Sequence, residues 1–111
     1  MNSNTYSIAL TTVASEADAK RIARLLVEEG VAACVSIMPE VRSYYKWKNQ
    51  LCEDVEWILL IKTRKEFLAP IEEIFYKNHP YELPELVFLS ITDGKKDYLT
   101  WIDTVLRSKD H

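Results

Sequence analysis

Most of the side chains able to do chemistry in this 111-residue chain fall in one short stretch, Asn78-His79-Pro80-Tyr81-Glu82-Leu83-Pro84-Glu85. It sets an imidazole, a phenol and two carboxylates around two prolines, whose locked φ holds the polar groups in a fixed relation. Imidazole nitrogen with carboxylate oxygen suits Cu(II), which heads the affinity order of the divalent first-row metals. His79, Glu82 and Glu85 are therefore the candidate metal ligands, for Cu(II) or another divalent cation bound as an optional ligand, with no cofactor required. A plainer explanation competes: Pro80 ends a helix, Pro84 begins a strand, and the carboxylates are solvated loop residues. On residue types alone the plainer explanation carries more weight.

Catalysis finds little support. The histidines are His79 and His111, and the latter closes a Ser-Lys-Asp-His tail expected to be disordered. No nucleophile has a recognisable activating partner, and two glycines cannot supply a glycine-rich phosphate cradle. Glu72-Glu73, and Glu82 with Glu85, could move protons, yet a solvated helix face and a solvated loop explain them. The chain reads as a non-enzyme. Cys34, within Ala32-Ala33-Cys34-Val35, reads as a small buried hydrophobe, and Cys52 lies near a turn. Their separation is no metal-ligand spacing, and in a chain without a signal segment it is no disulfide framework.

Composition narrows the class further. Hydrophobic residues make up 48% and charged residues 28%, which is globular, and the length suits one domain over residues 1–111. With 17 acidic against 14 basic side chains, the attraction that drives nucleic-acid binding is missing. No segment approaches the roughly 20 apolar residues of a membrane span, and Met1 to Thr5 lack a basic region leading into a long apolar core. Neither nucleic acid nor membrane is an expected partner, and the expected compartment is the cytoplasm.

The elements that must position the loop follow from periodicity. Tyr6 to Val13 is a β-rich run that passes directly into Ser15-Glu16-Ala17-Asp18, which has the form of a capping box. Ala19, Ile22, Ala23, Leu25 and Leu26 recur at helical spacing until Gly30. Ala33 to Met38 and Val41 to Lys48 read as one long strand bent at Pro39, with a turn at Asn49-Gln50. Val55 to Arg64 is the strongest strand and pairs back as a hairpin. A second helix follows, with Phe67, Ile71, Ile74 and Phe75 at its spacing and Pro70 in its first turn. It ends near Asn78, because the residue before Pro80 is pushed out of the helical region. Leu86 to Ile91 is a fourth strand, and Asp97 to Leu106 a last helix. The fold class is α+β, in the ferredoxin-like order βαββαβ with an extra C-terminal helix.

Alternation along the strands predicts something beyond the monomer. Val55, Trp57, Leu59 and Ile61 fall on one face of their strand while Ile58 and Leu60 fall on the other, and Val87, Leu89 and Ile91 oppose Leu86 and Phe88. With both helices on one face, a second apolar face needs cover, from an oligomer or, less completely, from the last helix alone. Tyr45 and Trp47, two apart on a strand, have the make-up of an interface anchor. Their partner is either another copy or the last helix through Trp101, and the residues do not choose between the two.

The order of Cys34-Val35-Ser36-Ile37 before a proline, Ser43-Tyr44-Tyr45-Lys46-Trp47, Leu60-Ile61-Lys62-Thr63, His79-Pro80-Tyr81-Glu82-Leu83-Pro84-Glu85 and Tyr98-Leu99-Thr100-Trp101-Ile102 resembles the CutA divalent-cation-tolerance proteins. The resemblance runs from about Tyr6 to Leu106. It implies a ferredoxin-like protomer in a stable homotrimer and a role in tolerance to copper and other divalent ions. In some animal relatives it also implies a link to the anchoring of an enzyme at membranes. Two departures stand out. Asn49 replaces a glycine in the hairpin turn, a position Asn tolerates at positive φ. Thr11 and Asn78 stand where some bacterial relatives carry a copper-binding thiol and the first of two histidines. The alternative is a scaffold similar to the trimeric PII signalling proteins, binding a small ligand or partner in clefts between subunits. Lys62 and Tyr81 are its candidate cleft residues, with Arg64, Lys95 and Lys96 as further cations.

Overall fold

The computed structural model describes residues 5–108; Met1 to Asn4 and the tail with His111 lie outside them. The chain forms β1 (Tyr6–Val13), α1 (Glu16–Glu28), β2 (Cys34–Trp47), β3 (Gln50–Arg64), α2 (Leu68–Asn78), β4 (Val87–Ser90) and α3 (Lys96–Val105). The sheet runs β2-β3-β1-β4 with every neighbour antiparallel. This is the ferredoxin-like arrangement that the element order predicts.

The local rules act where the residues place them. Ser15 accepts a hydrogen bond from the backbone N–H of Asp18 at 3.1 Å and caps α1. Gly30, at φ 74°, ends the same helix, and a Cβ there would lie 2.9 Å from Cβ of Arg107. Pro70 is the third residue of α2, where a missing N–H costs little. The pairing of β2 with β3 slips between Met38 and Val41, and Glu40 takes φ 47°, so the bend at Pro39 is a bulge.

β4 and α3 differ from expectation by a residue at each end, and the hairpin differs by more. Lys48 and Asn49, at φ 52° and 64°, make the turn, and β3 resumes at Gln50 instead of Val55. Two consecutive residues at positive φ match the natural twist of a two-residue hairpin, so pairing can continue to the last residue before the turn. At about 3.3 Å per residue, the long strands account for the 45 Å length of the molecule, against 26 and 22 Å across. The hairpin therefore projects as an arm beyond the sheet.

Ala9, Val13, Leu59 and Ile61 face α1 and α2 and form the core with Ile22, Leu26, Val31, Phe67, Ile71 and Phe75. The opposite face is only partly covered. Ile102 of α3 packs with Tyr6 and Ala33 at one end, joined by Ile91, Leu99 and Leu106. Leu10, Ile58 and Leu60 stand outside that cluster, and Met38, Val87 and Leu89 are 39%, 45% and 53% exposed. Cys34, paired with Lys62 on this face, is half-buried instead of a core residue, because little covers it.

Candidate functional site

The loop after α2 places its imidazole inward. The backbone N–H of Tyr81 donates to Nδ1 of His79 at 3.2 Å, which fixes the neutral tautomer with its proton on Nε2. That Nε2–H donates to Oγ1 of Thr11 on β1, 3.0 Å away. The rings of Phe75 and Tyr81 lie 5.1 and 5.2 Å from the imidazole, centre to centre. Burial holds the His79 pKa below its ordinary value. The Thr12 backbone and the charges of Asp18 and Glu56 favour the proton, and Arg21 opposes it. Arg21 also clamps the start of the loop, bonding Asp18 and the carbonyl of Asn78 at 3.0 Å each.

The residues that the family resemblance singles out, Thr11 and His79, are thus in contact. A hydroxyl in place of a thiol removes the soft ligand, and the one imidazole lone pair already accepts a hydrogen bond. Among the described residues no group of three or more His, Cys, Asp or Glu side chains is placed to hold a metal ion. These residues do not fit a resident copper centre. Structurally, His79 is the pin that ties the loop to β1.

The remaining polar groups of the loop turn toward a cleft at the base of the hairpin arm, of about 690 Å³. Ser43, Tyr45 and Trp47 of β2 and Asp54 and Glu56 of β3 line it from the arm, and Tyr81, Glu82, Leu83 and Glu85 from the loop. Alternation and register explain the first five: Ser43 pairs with Asp54 and Val41 with Glu56, so they share one face. Glu56, buried within the mouth, accepts a hydrogen bond from the Tyr81 hydroxyl at 2.6 Å. Burial and that carboxylate push the Tyr81 phenol well above its usual range. The Tyr45 hydroxyl donates to Asp54, and the bond raises its pKa to about 12. Partial burial, and then the charge of Glu56, pushes the Glu85 carboxyl up. The cleft is acidic at its floor and aromatic at its wall.

The expected site residues therefore separate. Glu82 and Glu85 share the cleft with Tyr81, Tyr45 and Trp47, whereas His79 is not among its lining residues. Lys62 is not there either; its ammonium lies 5.8 Å from the centre of the Tyr98 ring on α3. Trp101 stacks on Tyr98 at 5.5 Å and does not line the cleft, so the structure does not join it to Tyr45 or Trp47 within one chain. Arg64 bonds Glu66 and Asp103, and Lys95 bonds Asp97. Glu56 is a site residue that the sequence reading does not single out, whereas Thr11 is marked there only through the family resemblance. The signal for Glu56 was an acid inside the apolar run Val55-Glu56-Trp57-Ile58-Leu59, where an unpaired charge is costly.

A four-stranded antiparallel sheet with two helices on one face, a long two-stranded arm and a rigid His-Pro-Tyr loop at the arm's base define a ferredoxin-like protein of a particular kind. Residues 7–105 match the family described as CutA1 divalent ion tolerance protein, and the chain belongs to that family. It is 43% identical over 95 residues to the divalent-cation tolerance protein CutA of Thermus thermophilus, covering 86% of this chain and 92% of that one. It superimposes on the crystal structure of CutA1 from Oryza sativa with a TM-score of 0.90 and 34% identity, over 97% of this chain and 100% of that one. The family is named for tolerance to divalent ions and not for a reaction.

The cytoplasmic expectation is corrected by the same relatives. A chloroplastic CutA of Arabidopsis thaliana is 38% identical over 91% of this chain and 56% of its own length. A structure from Archaeoglobus fulgidus, described as a periplasmic CutA, is 30% identical with a TM-score of 0.88, over 92% of this chain and 99% of that one. One fold serves several compartments, so composition and the lack of an apolar segment do not fix the address. No helix among the described residues is long and apolar enough to cross a membrane.

Proposed function

We propose that this chain acts in divalent-cation tolerance as a homotrimer of single-domain protomers without catalytic machinery. It meets Cu(II) or another divalent ion as cargo, through Glu82 and Glu85, and holds no resident metal. The observation that carries this reading is the division of labour in the loop: the imidazole is closed by two hydrogen bonds, while Glu82 and Glu85 are exposed at the cleft. Two carboxylates without an imidazole make a weak oxygen site, suited to brief contact more than to storage. Support for the trimer comes from the apolar residues that α3 leaves uncovered on the second face of the sheet.

The test is a calorimetric titration of Cu(II) in a competing buffer on the wild type, Glu82→Gln/Glu85→Gln and His79→Gln. The expected result is weak binding, lost in the double variant and kept in His79→Gln. Tight binding that disappears with His79 would overturn the assignment.

A further inference from the structure

The cleft at the base of the arm carries a charge that nothing in its own walls offsets. Asp54, Glu56, Glu82 and Glu85 all line it, and among the described residues no Lys, Arg or His does. Nor is any of these carboxylates in an ion pair among the described residues. Glu56 is the sharpest case. It is only 6% exposed, and a carboxylate so buried is ordinarily paired with a cation or a metal. Its partner is the neutral Tyr81 phenol, which gives a hydrogen bond without cancelling the charge. Burial, and then this same charge, pushes the Glu85 carboxyl up, so the repulsion is felt across the cleft.

A single metal ion does not match this arrangement, because among the described residues no group of three or more metal-ligating side chains is placed to hold one. Asp54 and Glu56 are two apart on one face of β3, which separates their Cα atoms by about 7 Å. The Tyr45 and Tyr81 hydroxyls engage Oδ2 of Asp54 and Oε2 of Glu56, which leaves Oδ1 and Oε1 for further donors. The negative charge is thus spread along the cleft instead of gathered at a point. Beside it, Tyr45 and Trp47 present rings two residues apart on β2, 41% and 38% exposed. Aromatic faces attract ammonium groups and cover methylene chains. The volume of about 690 Å³ suits a small organic molecule.

We propose that this cleft binds a linear aliphatic polyamine, its ammonium groups set against Asp54 and Glu56 and its methylenes against Tyr45 and Trp47. A cation whose charges are strung along an apolar chain matches separated carboxylates and aromatic walls together. Glu82 and Glu85 receive a further ammonium from the loop side. This binding goes beyond the divalent-ion reading and needs neither a metal nor the trimer.

The probe is spermidine, titrated calorimetrically into the full chain in buffer stripped of metals, so that a failure of the copper titration and a failure here are separate results. Saturable binding of one spermidine per chain is expected. Asp54→Asn should weaken it by about fivefold or more and Trp47→Leu by about threefold or more. Both side chains are exposed, and circular dichroism checks the folding of the variants. Butylamine, with a single ammonium, and hexaamminecobalt(III), with the charge of spermidine but no chain, should each bind at least about tenfold more weakly than spermidine. Should a variant fail to fold, intermolecular NOEs on the wild type give an independent reading, with contacts expected from the spermidine methylenes to the rings of Tyr45 and Trp47.

Absence of saturable binding would overturn the proposal. An affinity unchanged in both variants would do the same, as would NOEs only to residues outside the cleft. Equal affinity for hexaamminecobalt(III) would also overturn it, by reducing the cleft to a diffuse negative patch.

Discussion

The placement of His79 predicts a dependence of stability on pH that a metal-ligand role would not produce. Its ring is buried and accepts the Tyr81 N–H at Nδ1, so protonation would set two donors against each other and leave a charge without water. Desolvation keeps the folded-state pKa below the ordinary value of 6.5. The unfolded chain therefore binds this proton at a higher pH than the folded chain does. Its contribution to stability is complete above about pH 6.5 and is lost as pH falls toward the folded pKa, by at most about 1.4 kcal/mol per pH unit per chain. Glu85 acts in the opposite sense, because a carboxyl pushed upward gains stability in acid.

Urea unfolding between pH 5 and 8, on wild type and His79→Gln, separates the two effects, since Glu85 is present in both. The variant should be less stable at pH 8 by about 1–3 kcal/mol, the cost of impairing buried hydrogen bonds. The gap should narrow as pH falls below 6.5. Parallel curves for the two proteins across the whole range would refute the reasoning, because they would show that the imidazole does not change charge between the folded and unfolded states in that window.

Other consequences follow from the packing. Leu59→Ala, at a fully buried site on β3 facing the helices, should cost about 2–5 kcal/mol in denaturant unfolding. A loss under 1 kcal/mol would mean that the core is placed wrongly. Gly30→Ala should destabilise by about 1–2 kcal/mol in the same assay, from its positive φ and the close approach of Arg107. An unchanged midpoint would contradict the αL assignment there. Asn49→Gly, in the hairpin turn, should be neutral or slightly stabilising, because both residues accept φ 64°. A marked loss on thermal melting would show that the Asn side chain does more than permit the turn.

Much of the fold is legible because its rules are local. The capping serine, Gly30, Pro70 in a first turn and the bulge at Pro39 each act within a few residues, and α1, α2 and the hairpin follow from them. The second apolar face is legible too, since alternation in Ile58 and Leu60 is a property of one strand. What sequence leaves open is direction in space. Whether the His79 ring faces solvent or Thr11 depends on how α2 lies across β1, a contact between residues 68 apart. The fate of Lys62 likewise depends on α3 bringing Tyr98 to it. Glu56 shows its importance only when Tyr81 arrives from another element.

Uncovered apolar residues on the second face of the sheet are the ground for the proposed homotrimer. Sedimentation equilibrium of the unmodified protein at micromolar concentration tests this most directly. A single species of about three times the 12.9 kDa chain mass is the predicted result. A stable, well-folded species of one chain mass, with Val87 and Leu89 open to solvent, would contradict it.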